Sequence, residues 1–194
     1  MSPLAWIDNK VSALSFWHLG GLAAQPPAAR DFEQLEELVG GELPVEYRRF
    51  VTHCGAAILG DLHHQVVAPL LDKCPWGPLI PMEFVYPAVI HHPDSAARQI
   101  RMYRGVIPSG LLPVMEYANR KVVCLDVGGK FPGSVWMWRT SGRGEAPSSS
   151  SPAWLSASFP SPSSPLDRPR EYTGLYRMAL TFGDLLRSAR RVPY

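Results

Sequence analysis

Residues 43–55, LPVEYRRFVTHCG, decide how this chain is read. Pro44 suits the first turn of a helix, where its missing N–H goes unneeded. Tyr47, Phe50, Val51 and Cys54 then fall at i, i+3, i+4 and i+7 and draw one apolar stripe. Arg48 and Arg49 point away from it, and Gly55 stands where a helix end favours a residue tolerant of positive φ. A helix of about ten residues is not stable alone in water. The stripe must be covered, and the rest of the chain is read as its cover.

Upstream, Asp31 predicts the start of a second helix, with Gln34 three residues later in a capping-box arrangement. Phe32, Leu35 and Leu38 face inward before Gly40-Gly41 stops it. The two helices predict a helical hairpin. Further upstream, Leu4, Ile7, Val11, Leu14 and His18 keep helical spacing over residues 2–21, widened by Trp6, Phe16 and Trp17. Ser2-Pro3 opens this segment and Gly20-Gly21 closes it, which predicts a helix docked on the domain or on a partner. The linker LAAQPPAA follows at 22–29. The chain thus divides into an N-terminal helical extension and linker, 1–29, and a domain, 30–194.

Beyond Gly55 the period changes. Residues 56–62 and 65–68 predict short strands around a Gly60-Asp61 turn, and 69–81, with four prolines, predict irregular chain. Residues 82–90 predict an extended segment interrupted at Pro87, and Asp94 predicts the cap of a helix over 95–104 anchored by Ile100 and Tyr103. Three apolar runs, 111–117, 121–127 and 134–139, predict an antiparallel meander. In the last run Val135, Met137 and Arg139 share one face, and Trp136 and Trp138 the other. Residues 141–170 form a Ser/Pro-rich insertion, with ten serines and five prolines between 141 and 165. Residues 172–190 return to helix, with Leu180, Phe182, Leu185 and Leu186 on its stripe. The fold class is α+β, a helical hairpin and a C-terminal helix packed on an antiparallel sheet.

Nineteen basic and 17 acidic residues leave a formal net charge of +2, which argues against a nucleic-acid binder. Cys54, Cys74 and Cys124 form no CxxC pair and predict free thiols in a reducing compartment. Asp8 and Lys10 interrupt any signal peptide, and no run approaches the roughly 20 apolar residues of a membrane span. These features predict a cytoplasmic protein with no nucleic-acid or membrane partner.

Chemistry finds little support. His53, Cys54, His63, His64, Cys74, His91 and His92 crowd one stretch, but their spacings match no zinc motif. They carry the alternative of a zinc- or thiol-dependent enzyme. No GxSxG elbow and no GxGxxG loop occurs. Glu36-Glu37 reads as a solvated helix face, and Asp126 reads as the cap of the Gly128-Gly129 turn. No cofactor, metal or catalysis is expected. Binding is better supplied: Trp76, Tyr117, Trp136 and Trp138 lie on strands and loops where one meander face could be open, and such aromatics dominate hot spots, with a core placement for one Trp of the 136/138 pair and most of the others as the alternative. Asp61, Glu83 and Asp126 are the carboxylates placed to meet a basic partner.

Three segments carry a family resemblance: FEQLEELVGGELPVEYRRFVTHCGA at 32–56, GLLPVMEYANRKVVCLDVGGKFPGSVWMW at 110–138, and LTFGDLLRSAR at 180–190. Their order and spacing resemble the SUKH superfamily, the Smi/Knr-type domain. The resemblance implies a compact α+β domain that acts by binding. In bacteria such domains serve mainly as immunity proteins against a toxin, often a nuclease or deaminase delivered by a secretion system. Fungal relatives are signalling scaffolds, which supplies a regulatory scaffold as the alternative function. The Trp-rich first helix is read either as a homodimer contact or as a lid on the core.

Overall fold

The computed structural model describes residues 4–18, 25–74, 77–117, 121–139 and 174–194. The helices are α1 (Ala5–Leu14), α2 (Ala29–Val39), α3 (Val45–Cys54), α4 (Ala96–Met102) and α5 (Phe182–Ser188). The strands are β1 (Phe16–His18), β2 (Ala57–Leu59), β3 (His64–Pro69), β4 (Leu79–Met82), β5 (Phe84–Val85), β6 (Leu111–Tyr117), β7 (Lys121–Asp126), β8 (Val135–Arg139), β9 (Leu175–Ala179) and β10 (Arg190–Pro193). A seven-stranded sheet runs β1-β2-β5-β6-β7-β8-β9, and a three-stranded one runs β10-β3-β4. Every pair in both is antiparallel, so the fold is α+β, five helices packed on antiparallel sheet.

The stripe of α3 is buried at all four positions, Tyr47, Phe50, Val51 and Cys54. Its cover comes from both ends of the chain. Phe182 sets its ring edge-on against Tyr47 and Phe50, 5.4 Å from each. From the other end Ile7, Val11 and Leu14 of α1 are buried, and Asp8 takes both Arg49 Nε (2.8 Å) and Arg49 Nη2. Pro44 is the N-cap of α3, with ψ 140°, one residue ahead of the expected first turn. Gly55 closes the helix at φ 58°. Glu36 holds the hairpin by accepting from the Leu43 N–H (2.7 Å) and from Arg48 (2.5 Å).

Three backbones meet at the far end of α2 with no room for side chains. A Cβ on Gly41 would lie 2.6 Å from the Val127 carbonyl, one on Gly128 2.6 Å from that of Gly40, and one on Gly110 2.4 Å from Gly129 N. The adjoining turn is capped as expected: Asp126 is buried and its carboxylate accepts from the Gly129 (2.8 Å) and Phe131 (2.9 Å) N–H groups. The meander strands fall close to their expected bounds.

Several expectations are corrected. The first helix ends at Leu14 because Ser15 adopts φ 58°, and residues 16–18 become β1. Asp31 is not the cap of α2; that position is Ala28, whose N–H donates to Asp31 Oδ2 at 2.8 Å. Ser95, not Asp94, caps α4, accepting the Arg98 N–H at 3.2 Å. The strands on either side of Gly60-Asp61 belong to different sheets. Pro81 lies within a strand, tolerated because β4 is an edge. The closing helix is shorter than expected: residues 175–179 pair with β8 as β9, and 190–193 pair with β3 as β10. Leu180 is exposed. The Gly20-Gly21 stop and the 141–170 insertion lie outside the described residues.

Phe182→Ala is expected to lower the free energy of unfolding by about 3–5 kcal/mol. Tyr47→Phe removes a buried hydroxyl that has no hydrogen-bond partner among the described residues, and is expected to leave stability unchanged or raise it. Urea titrations of both variants check the pair.

Candidate protein-interaction surface

Directly opposed residues of antiparallel strands share a face of the sheet. Following the register across the large sheet, Trp17 opposes Ile58, Ile58 opposes Phe84 and Phe84 opposes Glu116. The row continues through Val122, Trp138 and Leu175. At its inner end Tyr103, at the end of α4, sets its ring edge-on to Trp138 at 5.3 Å, leaving Trp138 8 % exposed. At the other end the cover stops. Trp17 is 53 % exposed, Ile58 37 %, and Phe84 and Glu116 are half-buried.

Tyr86 stiffens this open end. Its ring packs edge-on against Phe84 at 5.5 Å, and its hydroxyl donates to Glu116 Oε2 at 2.5 Å. Burial, then the Glu116 carboxylate, push the Tyr86 pKa far up, so the hydroxyl stays protonated and fixes the Glu116 side chain. Glu83 is exposed next to Phe84; its N–H donates to the Glu116 carbonyl and its own carbonyl accepts the Leu59 N–H. Tyr117 is half-buried, with Lys121 Nζ 5.6 Å from its ring centre. Among the described residues no cation pairs with Glu83 or Glu116. The result is an apolar shelf with the Glu116 carboxylate in its row.

Of the residues singled out in the sequence, Glu83 and Tyr117 are the chain neighbours of Phe84 and Glu116 and fall in the adjacent register row, towards the opposite face of the sheet. Trp136, Trp138 and Asp126 are buried, because the meander has no open face there. Trp136 is wholly buried beneath Phe131 and the Arg177 guanidinium (4.6 Å), with its indole N–H on Ser134 Oγ at 2.7 Å. Trp76 lies outside the described residues. Asp61 is engaged internally: it accepts the His63 N–H (2.9 Å), bonds His64 Nδ1 (2.9 Å) and pairs with Arg191, tying β10 to the β2–β3 turn. Those contacts, the His63 N–H first, lower its pKa to about 2. Trp17, Ile58, Phe84 and Glu116 escaped the sequence reading. A three-residue strand has no measurable period, and Trp17 fitted the helical pattern that preceded it.

The His/Cys stretch is dispersed. Cys54 is fully buried and its thiol pKa is pushed up by that burial. His53 Nδ1 lies 3.5 Å from Asp8, His64 is on Asp61, and His92 Nδ1 accepts the Asp94 N–H. Among the described residues no three His, Cys, Asp or Glu converge on a metal position. A cleft of about 360 Å³ between the ends of α2 and α4 is lined by Glu37, Tyr103, Arg104 and Ser109 among others.

The family model described as SMI1 / KNR4 family (SUKH-1) matches residues 26–162. No curated protein and no solved structure matches the chain. No helix among the described residues is long and apolar enough to cross a membrane.

Because the pKa of Asp61 is depressed on folding, its carboxylate stabilises the fold above the unfolded value of about 4, and that contribution is lost as pH falls towards about 2. Asp61→Asn is therefore expected to lower the urea midpoint at pH 5–7, with the gap to wild type narrowing only below about pH 4. A constant gap down to pH 3 would contradict this.

Proposed function

The chain belongs to the SMI1/KNR4 family (SUKH-1), and we propose that it is an immunity protein that binds a cognate secreted bacterial toxin and covers its active site. The observation that carries this reading is the Trp17–Ile58–Phe84 shelf, with Glu116 in its row and fixed by Tyr86. Aromatic anchors supply hot-spot energy, while the Glu116 carboxylate, which no cation pairs among the described residues, supplies steering and register towards a basic surface such as a nuclease's substrate path. The domain acts by binding and performs no chemistry, in the cytoplasm of the cell that makes the toxin for export through a secretion system. On this reading residues 1–29 are an extension that lends Trp17 to the surface of the 30–194 domain, with Glu83 and Tyr117 beside the shelf as further contacts for the partner.

Capture with the tagged chain from the native host, followed by mass spectrometry, is expected to return one stoichiometric partner with a toxin-like domain. Co-expression is expected to abolish that partner's toxicity. Phe84→Lys is expected to weaken the complex about 30-fold, the loss of one hot spot of about 2 kcal/mol. Many substoichiometric partners would point to a scaffold instead, and cells equally resistant to the toxin without the protein would end the immunity reading.

A further inference from the structure

Helix α4 buries Ala96, Ala97 and Gln99, with Ile100 and Tyr103 half-buried beside them. Its other side carries an arginine at every third residue: Arg98, Arg101 and, just past the helix, Arg104, all exposed. Arg98 has local partners, since Asp94 lies 4.0 Å from it and its guanidinium donates to the Pro93 carbonyl at 2.5 Å. Arg101 and Arg104 pair with no carboxylate among the described residues. They stand at the C-terminal end of the helix, where its dipole favours cations, so the fold carries this charge at little cost.

Two large apolar side chains stand out beside these cations. Met102 is 55 % exposed and Val106 60 %. The loop holding Val106 is fixed by its own backbone: the Val106 (2.9 Å) and Ile107 (3.2 Å) N–H groups both donate to the Tyr103 carbonyl. Gly105 makes the turn at φ 76°, and Ile107 is buried under it. The same stretch forms one wall of the cleft of about 360 Å³, with Ile100, Arg104 and Ile107 on the α4 side and Glu37 and Leu38 on the α2 side. That volume is at the small end of ligand pockets and suits an inserted side chain. Glu37 is exposed and pairs with no cation among the described residues, so the two walls differ in sign.

These features select the occupant. The unpaired guanidinium groups call for anions along the α4 side, and Glu37 repels them from the α2 side. Met102, Val106 and the walls of the cleft call for apolar surface on the same ligand, which a phosphate backbone does not offer. We infer that this face docks an acidic segment of a partner protein, its Asp or Glu side chains on Arg101 and Arg104 and an adjoining leucine-sized side chain in the cleft. Met102 and Val106 then shield the ion pairs from water, as the surround of a hot spot does. The site is opposite in sign to the Trp17–Ile58–Phe84 shelf and does not depend on the reading placed on that shelf.

The probe is a labelled synthetic peptide of about ten residues, glutamates around a pair of leucines, titrated against the full chain. Lysine in place of glutamate, and serine in place of leucine, are each expected to weaken binding about tenfold or more. Bound peptide is expected to shift the methyl resonances of Leu38, Ile100 and Ile107. Arg101→Glu with Arg104→Glu is expected to weaken binding about tenfold or more while leaving the urea midpoint unchanged, because neither side chain is paired in the fold. Lysine at both positions keeps the charge and is expected to weaken it less. Equal binding of the glutamate and lysine peptides, or an unaffected double glutamate variant, overturns the proposal. So does a DNA oligonucleotide that binds more tightly and displaces the peptide, or a dimer of the chain alone that the double variant dissolves. Loss of peptide binding in Phe84→Lys also overturns it, because the peptide then sits on the shelf. A toxin captured equally by wild type and the double variant, with the peptide lost from the variant alone, supports a second site and leaves the immunity reading standing. Peptide binding in a chain that protects no cell supports the site and ends the immunity reading.

Discussion

One ring closes this structure. Phe182 lies edge-on to both Tyr47 and Phe50 and shuts the apolar stripe of α3 away from water. Three buried aromatics of this size remove on the order of 150–250 Å² each from solvent. The ring is held in place by what flanks it. Immediately before α5 the chain is β9, bonded to β8 in the large sheet, and immediately after it is β10, bonded to β3 in the small one. α5 therefore bolts the two sheets and α3 together at a single point, and the Thr181 hydroxyl fixes its first turn by accepting the Asp184 N–H.

The segment ahead of α2 has two jobs that share one residue. Ile7, Val11 and Leu14 complete the cover of α3, and the Asp8 carboxylate, its pKa lowered by Arg49, anchors that cover. At Ser15 the chain then takes a backbone angle that side chains rarely adopt and turns from helix to sheet edge at once. Packing thus fixes the direction of the edge strand: Phe16 turns inward against His53, with ring centres 5.9 Å apart, and Trp17 is left outward.

What could be read from residues alone was what is decided locally. The α3 stripe and the meander strands were legible because a period and the turns around it sit within a dozen residues. Trp136 and Trp138, open to either an outward or a core placement, lie in the core for a reason also written in the sequence. Val122-Val123-Cys124-Leu125 is apolar without alternation, the mark of a strand covered on both faces, and its neighbour β8 shares that cover. β1, β9 and β10 were invisible in another way. Strands of three to five residues take their state from a partner far along the chain, as 175–179 do from β8 and 190–193 from β3. The shelf followed from such pairings, so its row of Trp17, Ile58, Phe84 and Glu116 was not legible beforehand.

The position of α5 in the chain has a consequence for biosynthesis. A ribosome delivers residues 4–139 before it delivers 175–193. During that interval the α3 stripe lacks the Phe182 half of its cover, and β8 and β3 each present a bare edge. Long-range pairing of this kind is slow, and exposed apolar surface and open strands are what nascent chains aggregate through. Yield in the cell is thus governed by how the unfinished chain is sheltered, by chaperone or by translation rate, until its final helix arrives.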